Sequence, residues 1–287
     1  MKRCMQCETR FTSEGWVCPT CHFEPAKIGG FVAHAPALAR DVEGFEQQFF
    51  DELATFEEDS FWFTSRNQLV IDAMRKFFPS AESFLEVGCG TGFVLQGLEK
   101  AFPRLQLSGS EVLCHGLSYA QQRVSHSVVF QMDALNIPFE EEFDVIGAFD
   151  VVEHIEDDLS VLQNFHRATK PGGGIILTVP QHQWLWSEAD DYAHHVRRYS
   201  RGELAEKVIA AGFTIERVTS FVSLLLVPMA LSRLLRKKSG YDDCAEFKMS
   251  SALNRAFDMV MAVERILLST GVSLPAGGSL LLVARRI

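Results

Sequence analysis

The run Phe84-Leu85-Glu86-Val87-Gly88-Cys89-Gly90-Thr91-Gly92 decides the fold: four residues suited to a buried strand open into a turn with three glycines. Apolar helical spacing follows from Phe93 to Ala101, so the stretch reads as strand, glycine turn, helix. Glycines in such a turn let the backbone pass close to a ligand and aim amides at it from a helix N-terminus. Outward from it, short apolar runs alternate with helical ones, the pattern of an α/β domain with a mainly parallel sheet. The expected strands are 83–87, 106–111, 128–132, 143–149, 174–179, 213–220 and 279–285, seven in all.

Two acids follow at strand ends. Glu111 lies 19 residues beyond Gly92, where a carboxylate can hold ribose hydroxyls, and Asp133 closes the third strand 22 residues later. Two details bear on the ligand. The glycines run G-x-G-x-G rather than G-x-G-x-x-G, and Glu86 precedes them on the strand. A carboxylate there repels a pyrophosphate and welcomes a cationic amino-acid group.

With the acidic strand before it, this turn resembles the first motif, E-x-G-x-G-x-G, of class I S-adenosylmethionine-dependent methyltransferases. The resemblance covers roughly 61–221 plus the last strand. It implies a doubly wound, seven-stranded, mostly parallel sheet of Rossmann-like type. By it, Glu86, Gly88, Gly90 and Gly92 serve the methionine end of S-adenosylmethionine and Glu111 the ribose. Asp133, Ala134 and Phe149 then line the adenine and the cleft. A nicotinamide-dinucleotide dehydrogenase is the alternative that the glycine turn alone leaves open.

The fourth strand runs into Asp150-Val151-Val152-Glu153-His154, and the fifth is preceded by Lys170-Pro171-Gly172-Gly173-Gly174. Ligands of open α/β sheets bind at the carboxyl ends of strands, which puts the first of these segments in the cleft. The absence of an N-P-P-Y or D-P-P-Y run disfavours methylation of amines and favours oxygen. Methyl transfer is an in-line displacement at an activated carbon, so the protein must align a nucleophile and remove its proton. His154 is one candidate base, and Glu153 stands beside it. The D-x-x-E-H spacing of Asp150, Glu153 and His154 is similar to the metal-binding E-x-x-E-H of ubiquinone-biosynthesis O-methyltransferases. That likeness implies a divalent ion at these three residues; a helix cap on a solvated acidic face is the bland alternative.

After the fifth strand, residues 180–200 concentrate Trp, His, Tyr and Arg, as a substrate-contacting lid would. His195 is a second candidate base, and Arg197 and Arg198 are expected to meet a phosphate or carboxylate of the substrate. The H-x-R-R-Y run is similar to methyltransferases of polyprenyl-quinone and glycan pathways. Phe61-Trp62-Phe63, with Arg66 and Asn67, is expected to close the other side of the cleft.

At the amino terminus Cys4, Cys7, Cys18 and Cys21 form two C-x-x-C pairs separated by ten residues. Two such turns present four thiolates to one tetrahedral ion, so a structural zinc ribbon over residues 1–25 is expected. The remaining divisions are a linker and helices over 26–80, a methyltransferase core over 81–221, a helical insertion over 222–272 and the last core strand over 273–287. In the linker region Phe45, Phe49 and Phe50 mark one helix, and Leu69 to Phe77 a second.

With 27 Lys plus Arg against 37 Asp plus Glu, the 287 residues carry a net charge of −10, which argues against a nucleic-acid partner. The 47% hydrophobic and 22% charged content is that of a globular chain. No signal-peptide pattern is visible, and paired thiols in a reducing compartment point to the cytoplasm. The longest apolar stretch, 221–235, is 15 residues broken by Pro228, too short for a bilayer span. Followed by Arg236, Lys237 and Lys238, it has the makings of a peripheral contact with the inner membrane face. The expected protein is an S-adenosylmethionine-dependent enzyme methylating oxygen on a small or lipid-linked acceptor. An rRNA base methyltransferase with a zinc module, and a non-catalytic cofactor-binding interaction protein, remain as alternatives.

Overall fold

The computed structural model describes residues 1–40, 47–235 and 249–287, with the backbone alone at 47–49 and 234–235. The expectations that rested on Phe45 and on Arg236, Lys237 and Lys238 lie outside the described residues, as do the side chains of Phe49, Leu234 and Leu235.

At the centre is β5 (Ser83–Val87), buried at all five positions. Its alternation feeds both faces: Phe84 packs with Met74, Leu95 and Leu98, and Leu85 with Phe165, Leu177 and Val179. β6 (Gln106–Glu111) and β7 (Val128–Gln131) lie parallel on one side, β8 (Phe143–Phe149) and β9 (Thr169–Pro180) on the other. Beyond β9, β11 (Ser279–Arg285) runs antiparallel between β9 and β10 (Thr214–Phe221). These are the seven expected strands, with ends shifted by a few residues.

Two more strands join the sheet. β3 (Ala26–Ile28) and β4 (Phe31–Ala33) form a hairpin, and β4 pairs parallel to β7 through Ala33 and Gln131. The order is therefore β10-β11-β9-β8-β5-β6-β7-β4-β3, nine strands rather than seven. The stretch expected as a linker is thus partly sheet. Its turn is Gly29-Gly30, both at positive φ (61° and 92°), a two-residue connection that suits a twisted hairpin.

Helices cover both faces. α1 (Gln47–Phe56) and α2 (Phe61–Phe77) precede β5, so the Phe61-Trp62-Phe63 cluster is the first turn of α2. α3 (Phe93–Ala101), α4 (Cys114–Arg123) and α5 (Asp158–Ala168) are the crossovers. α6 (Glu188–Tyr192) and α7 (Arg201–Ala210) follow β9. α8 (Leu226–Leu235) and α9 (Ser251–Ser269) intervene before β11, and α9 packs on α2. Among the described residues no helix is long and apolar enough to cross a membrane.

The amino-terminal module carries its own two-stranded sheet, β1 (Lys2–Arg3) with β2 (Arg10–Phe11). It is stitched to the domain by Arg3 N–H donating to Pro138 O (2.9 Å) and Glu140 N–H to Met1 O (2.9 Å). The Trp16 ring stands 4.1 Å from His34 and 5.4 Å from Phe139, which extends the module's contact into the core beside β7.

Candidate active site

The carboxyl ends of β5, β6, β7 and β8 share one edge of the sheet, and the predicted cofactor residues gather there. Gly88, Gly90 and Gly92 all have positive φ (72°, 51° and 79°). A Cβ at Gly88 would stand 2.5 Å from Val151 Cγ2, and one at Gly92 2.9 Å from the Ala120 backbone, so the turn has room for glycine alone at these two places. Gly92 caps α3, whose first amides therefore open into the cleft.

Glu111 braces this turn from β6. Its Oε2 accepts from Gly90 N–H (3.0 Å) and its Oε1 from Val112 N–H (2.7 Å), which leaves lone pairs on both oxygens for ribose hydroxyls. Glu86 is 2% exposed, and its Oε2 has no hydrogen-bond partner. Burial holds its carboxyl well above the usual range; Arg66 opposes this, and Glu111 and Glu57 add to it. A buried acid with one unpartnered oxygen and two acids beside it favours a further cation, and the ammonium of S-adenosylmethionine supplies one where a pyrophosphate would not. The residues present thus fit this cofactor. Asp133 accepts from Leu135 N–H (2.9 Å) through Oδ1, next to buried Ala134, and Phe149 is buried at the end of β8.

A buried network that the sequence did not reveal closes over the turn. The Thr91 hydroxyl donates to Glu57 Oε2 (2.5 Å), and Arg123 Nη1 donates to the same oxygen (2.6 Å) and to Thr91 Oγ1 (2.6 Å). Glu57 stands just past α1, and Phe50 of that helix is the ring that a Cβ at Gly90 would meet at 3.8 Å. No local spacing links positions 57, 91 and 123, so only the fold assembles them.

Just past β8, Asp150 takes a positive φ of 58°. Its Oδ2 accepts from Arg66 Nη1 (2.5 Å) and from the Thr178 hydroxyl (3.1 Å), and the Arg66 guanidinium lies 4.6 Å over the Trp62 ring. Arg66 and Trp62 therefore reach the cleft as expected. Asp150 itself is committed to that ion pair, which corrects its assignment to a metal set with Glu153 and His154.

The structure instead brings His195 to that pair. The His154 and His195 rings are 4.8 Å apart, and His195 Nε2 lies 4.0 Å from Glu153 Oε1. One ligand atom from each of Glu153, His154 and His195 lies within 4.8 Å of the others. Burial lowers His154 to about 3, with His195 adding to it, so that ring is neutral at ordinary pH. Burial raises Glu153 well above the carboxylate range, and Asp150 pushes the same way. His195 is held by Asp190, whose Oδ1 is 2.8 Å from Nδ1. Asp190 is fully buried and takes a bidentate grip from Arg198, Nε to Oδ1 at 2.6 Å and Nη2 to Oδ2 at 3.0 Å. Hydrogen bonds to these partners hold its carboxyl far below the usual range against the cost of burial.

These contacts correct the substrate role expected of the two arginines. Arg198 is spent on Asp190, and Arg197 pairs with Asp158 (2.5 Å) and Glu156 (3.0 Å). Asp158 also accepts from the buried Tyr199 hydroxyl (2.6 Å) and Lys207 (2.6 Å), so the H-x-R-R-Y run is internal scaffolding for His195.

At the amino terminus, Cys4 and Cys21 sulfurs are 3.5 Å apart and those of Cys7 and Cys18 3.6 Å. None of the four is in a disulfide. Four thiols converging at these spacings suit tetrahedral zinc, whose Zn–S bonds of about 2.3 Å place sulfurs slightly under 4 Å apart.

A family model described as a methyltransferase domain matches residues 61–218. The chain belongs to that family. The 27-O-demethylrifamycin SV methyltransferase of Amycolatopsis mediterranei is 28% identical over 174 residues, 54% of this chain and 57% of that protein. The ubiquinone biosynthesis O-methyltransferase of Hydrogenovibrio crunogenus is 26% identical over 120 residues, 39% of this chain and 48% of that protein. The chain thus spans about half the length of these relatives. Among solved structures, the complex of the Haloferax volcanii Trm112 methyltransferase activator with a methyltransferase matches with a TM-score of 0.55. That match is 14% identical and covers 84% of this chain and 93% of the other, a likeness of fold.

Proposed function

We propose that this protein transfers the methyl group of S-adenosylmethionine to an oxygen of a small or lipid-linked acceptor. The observation that carries this reading is the juxtaposition, along one sheet edge, of a buried acid with an unpartnered oxygen beside a glycine turn and the Glu153, His154 and His195 cluster. In this reading Glu86 holds the ammonium, with Gly88, Gly90 and Gly92 allowing close backbone approach. Glu111 binds the ribose hydroxyls. Asp133 accepts from the adenine amine, and Ala134 and Phe149 provide apolar walls. The bound cofactor supplies a methyl group on a positively charged sulfur, already activated for displacement.

What remains for the chain is to hold the acceptor in line and strip its hydroxyl proton. The second task falls to the cluster of Glu153, His154 and His195, with Asp190 as the positioning residue. The exposed apolar side chains of α8 and α9, among them Val227, Leu231, Met259, Val263 and Ile266, support an acceptor with a lipid portion and peripheral contact with a cytoplasmic membrane face. Residues 1–25 form a zinc ribbon on Cys4, Cys7, Cys18 and Cys21, 26–80 a connecting and helical segment, 81–221 with 273–287 the catalytic core, and 222–272 the insertion.

The test is transfer of labelled methyl from S-adenosylmethionine to a panel of hydroxylated acceptors, soluble and lipid-linked, with amine analogues beside them. Transfer to oxygen supports the reading. Cofactor binding with transfer only to amines, only to added ribosomal RNA, or to nothing overturns it.

A further inference from the structure

Thr91 stands between Gly90 and Gly92, both at positive φ, and is itself 1% exposed. A glycine-rich turn has more backbone freedom to lose on ordering than any other, so its shape before a ligand arrives depends on what grips it. Glu111 grips it through Gly90 N–H (3.0 Å). The second grip is ionic and acts on Thr91.

Glu57 Oε2 accepts from the Thr91 hydroxyl (2.5 Å) and from Arg123 Nη1 (2.6 Å), and the same Nη1 donates to Thr91 Oγ1 (2.6 Å) and Thr91 O (3.3 Å). The hydroxyl thus gives to the acid and takes from the cation, which closes a ring of three side chains. Charge-assisted bonds of this kind are roughly twice as strong as neutral ones, and with Glu57 buried water does little to screen them. The ring joins three elements, since Glu57 follows α1, Thr91 precedes α3 and Arg123 ends α4. The guanidinium is further fixed 5.5 Å over the Phe93 ring. The charge of Glu57 also reaches Glu86, where it helps to raise that carboxyl, so the ring lies within electrostatic range of the acid assigned to the ammonium.

We propose that Glu57 and Arg123 are positioning residues for the methyl donor: their ion pair holds Thr91 by its hydroxyl and carbonyl and keeps the glycine turn in the shape that receives S-adenosylmethionine. This deepens the methyltransferase reading and rests on it. Neither residue has to touch the cofactor. A turn ordered beforehand spares the ligand the cost of ordering it, so the pair acts on affinity.

The experiment is calorimetric titration of the purified full chain and its variants with S-adenosylmethionine, at a temperature where circular dichroism shows each to be folded. Affinity should fall at least tenfold in Arg123→Met and in Thr91→Val, and stay within twofold in Thr91→Ser, which keeps the hydroxyl. Because the ring acts as one unit, the double variant Thr91→Val with Arg123→Met should bind within threefold of the weaker single one. Asp51→Ala unties α1 from His115 and Tyr119 of α4 without touching Thr91, and should change affinity less than threefold. Thr91→Val is close to the native side chain in shape and carries the test should Arg123→Met not fold. Unchanged affinity in Thr91→Val, losses that multiply in the double variant, or a loss in Asp51→Ala as large as in Arg123→Met overturns the proposal. Failure of the unmodified chain to bind S-adenosylmethionine would sink the methyltransferase reading instead.

Discussion

His195 Nδ1 lies 2.8 Å from Asp190 Oδ1, and because a carboxylate can only accept, the imidazole must donate there and turn its Nε2 toward Glu153. Asp190 thereby fixes both the direction and the tautomer of a ring in the cleft, from a helix of five residues.

Replacing Asp190 with Asn should therefore lower kcat by about 10- to 100-fold, the usual cost of losing a group that orients an active imidazole. The affinity for S-adenosylmethionine should stay within twofold. The same substitution leaves the Arg198 guanidinium half-paired in the interior, so the melting temperature should fall as well. Steady-state kinetics with calorimetric cofactor titration separates the two effects. A loss of cofactor affinity equal to the loss in kcat would remove Asp190 from its orienting role.

Glu86→Gln should weaken S-adenosylmethionine by about 1 to 3 kcal/mol, the value of a hydrogen bond to a charged group. The unliganded protein should melt at the same or a higher temperature, because a buried carboxyl with an unpartnered oxygen has gone. The opposite pairing, a protein destabilised without its ligand yet binding normally, would place Glu86 in the core and not at the cofactor.

Gly88→Ala combines a positive φ with a Cβ 2.5 Å from Val151 Cγ2. We expect cofactor binding to be lost beyond calorimetric detection and stability to fall by about 1 to 3 kcal/mol. Adding Val151→Ala should recover part of the stability by removing the clash, while the backbone strain remains. Chemical denaturation of the single and double variants reads both contributions. No recovery in the double variant would show that the steric account is wrong.

His34 is buried against Trp16 and Phe130, with both ring nitrogens unpartnered, and burial lowers it to about 4, with Lys2 adding to it. Its folded value lies below that of a free histidine near ~6.5, so the unfolded chain binds the proton first. The contribution is constant above that free value and is lost progressively as pH falls through the window down to about 4. In His34→Phe the slope of stability between pH 6 and 4.5 should be shallower. Identical slopes by denaturant titration would contradict the assignment.

Much of the fold was legible because β5, β8, β9 and β11 carry short apolar-rich runs bounded by glycine, proline or charged residues. β5, β6, β8 and β11 have the ends that their patterns implied. The β3–β4 hairpin was not legible as sheet, since three-residue strands have too few positions to display alternation. Its Gly29-Gly30 turn was the available signal.

In the site, Glu86, Glu111 and His154 could be placed from strand ends and glycine spacing. Asp190 could not, because its value lies in two contacts, His195 and Arg198, and Glu188 and Asp191 on the same short helix look alike in sequence. The same loop misled on Arg197 and Arg198: sequence shows two cations near a cleft, and only the fold shows that buried acids already hold them.

The short β4 leads into residues that are sewn to the nucleoside end of the site. Gln131 Oε1 accepts from Ala35 N–H and its Nε2 donates to Ala35 O and Val112 O, each at 2.9 Å, while Cys114 N–H donates to Ala39 O at 2.9 Å. Ala35 and Ala39 thus buttress the wall on which Glu111 and Asp133 stand, and the cysteine-rich module leans on this segment through the Trp16 ring against His34. Were zinc held by Cys4, Cys7, Cys18 and Cys21, its removal should be felt as a poorer grip on the methyl donor, a rise in its KM with turnover at saturation unchanged.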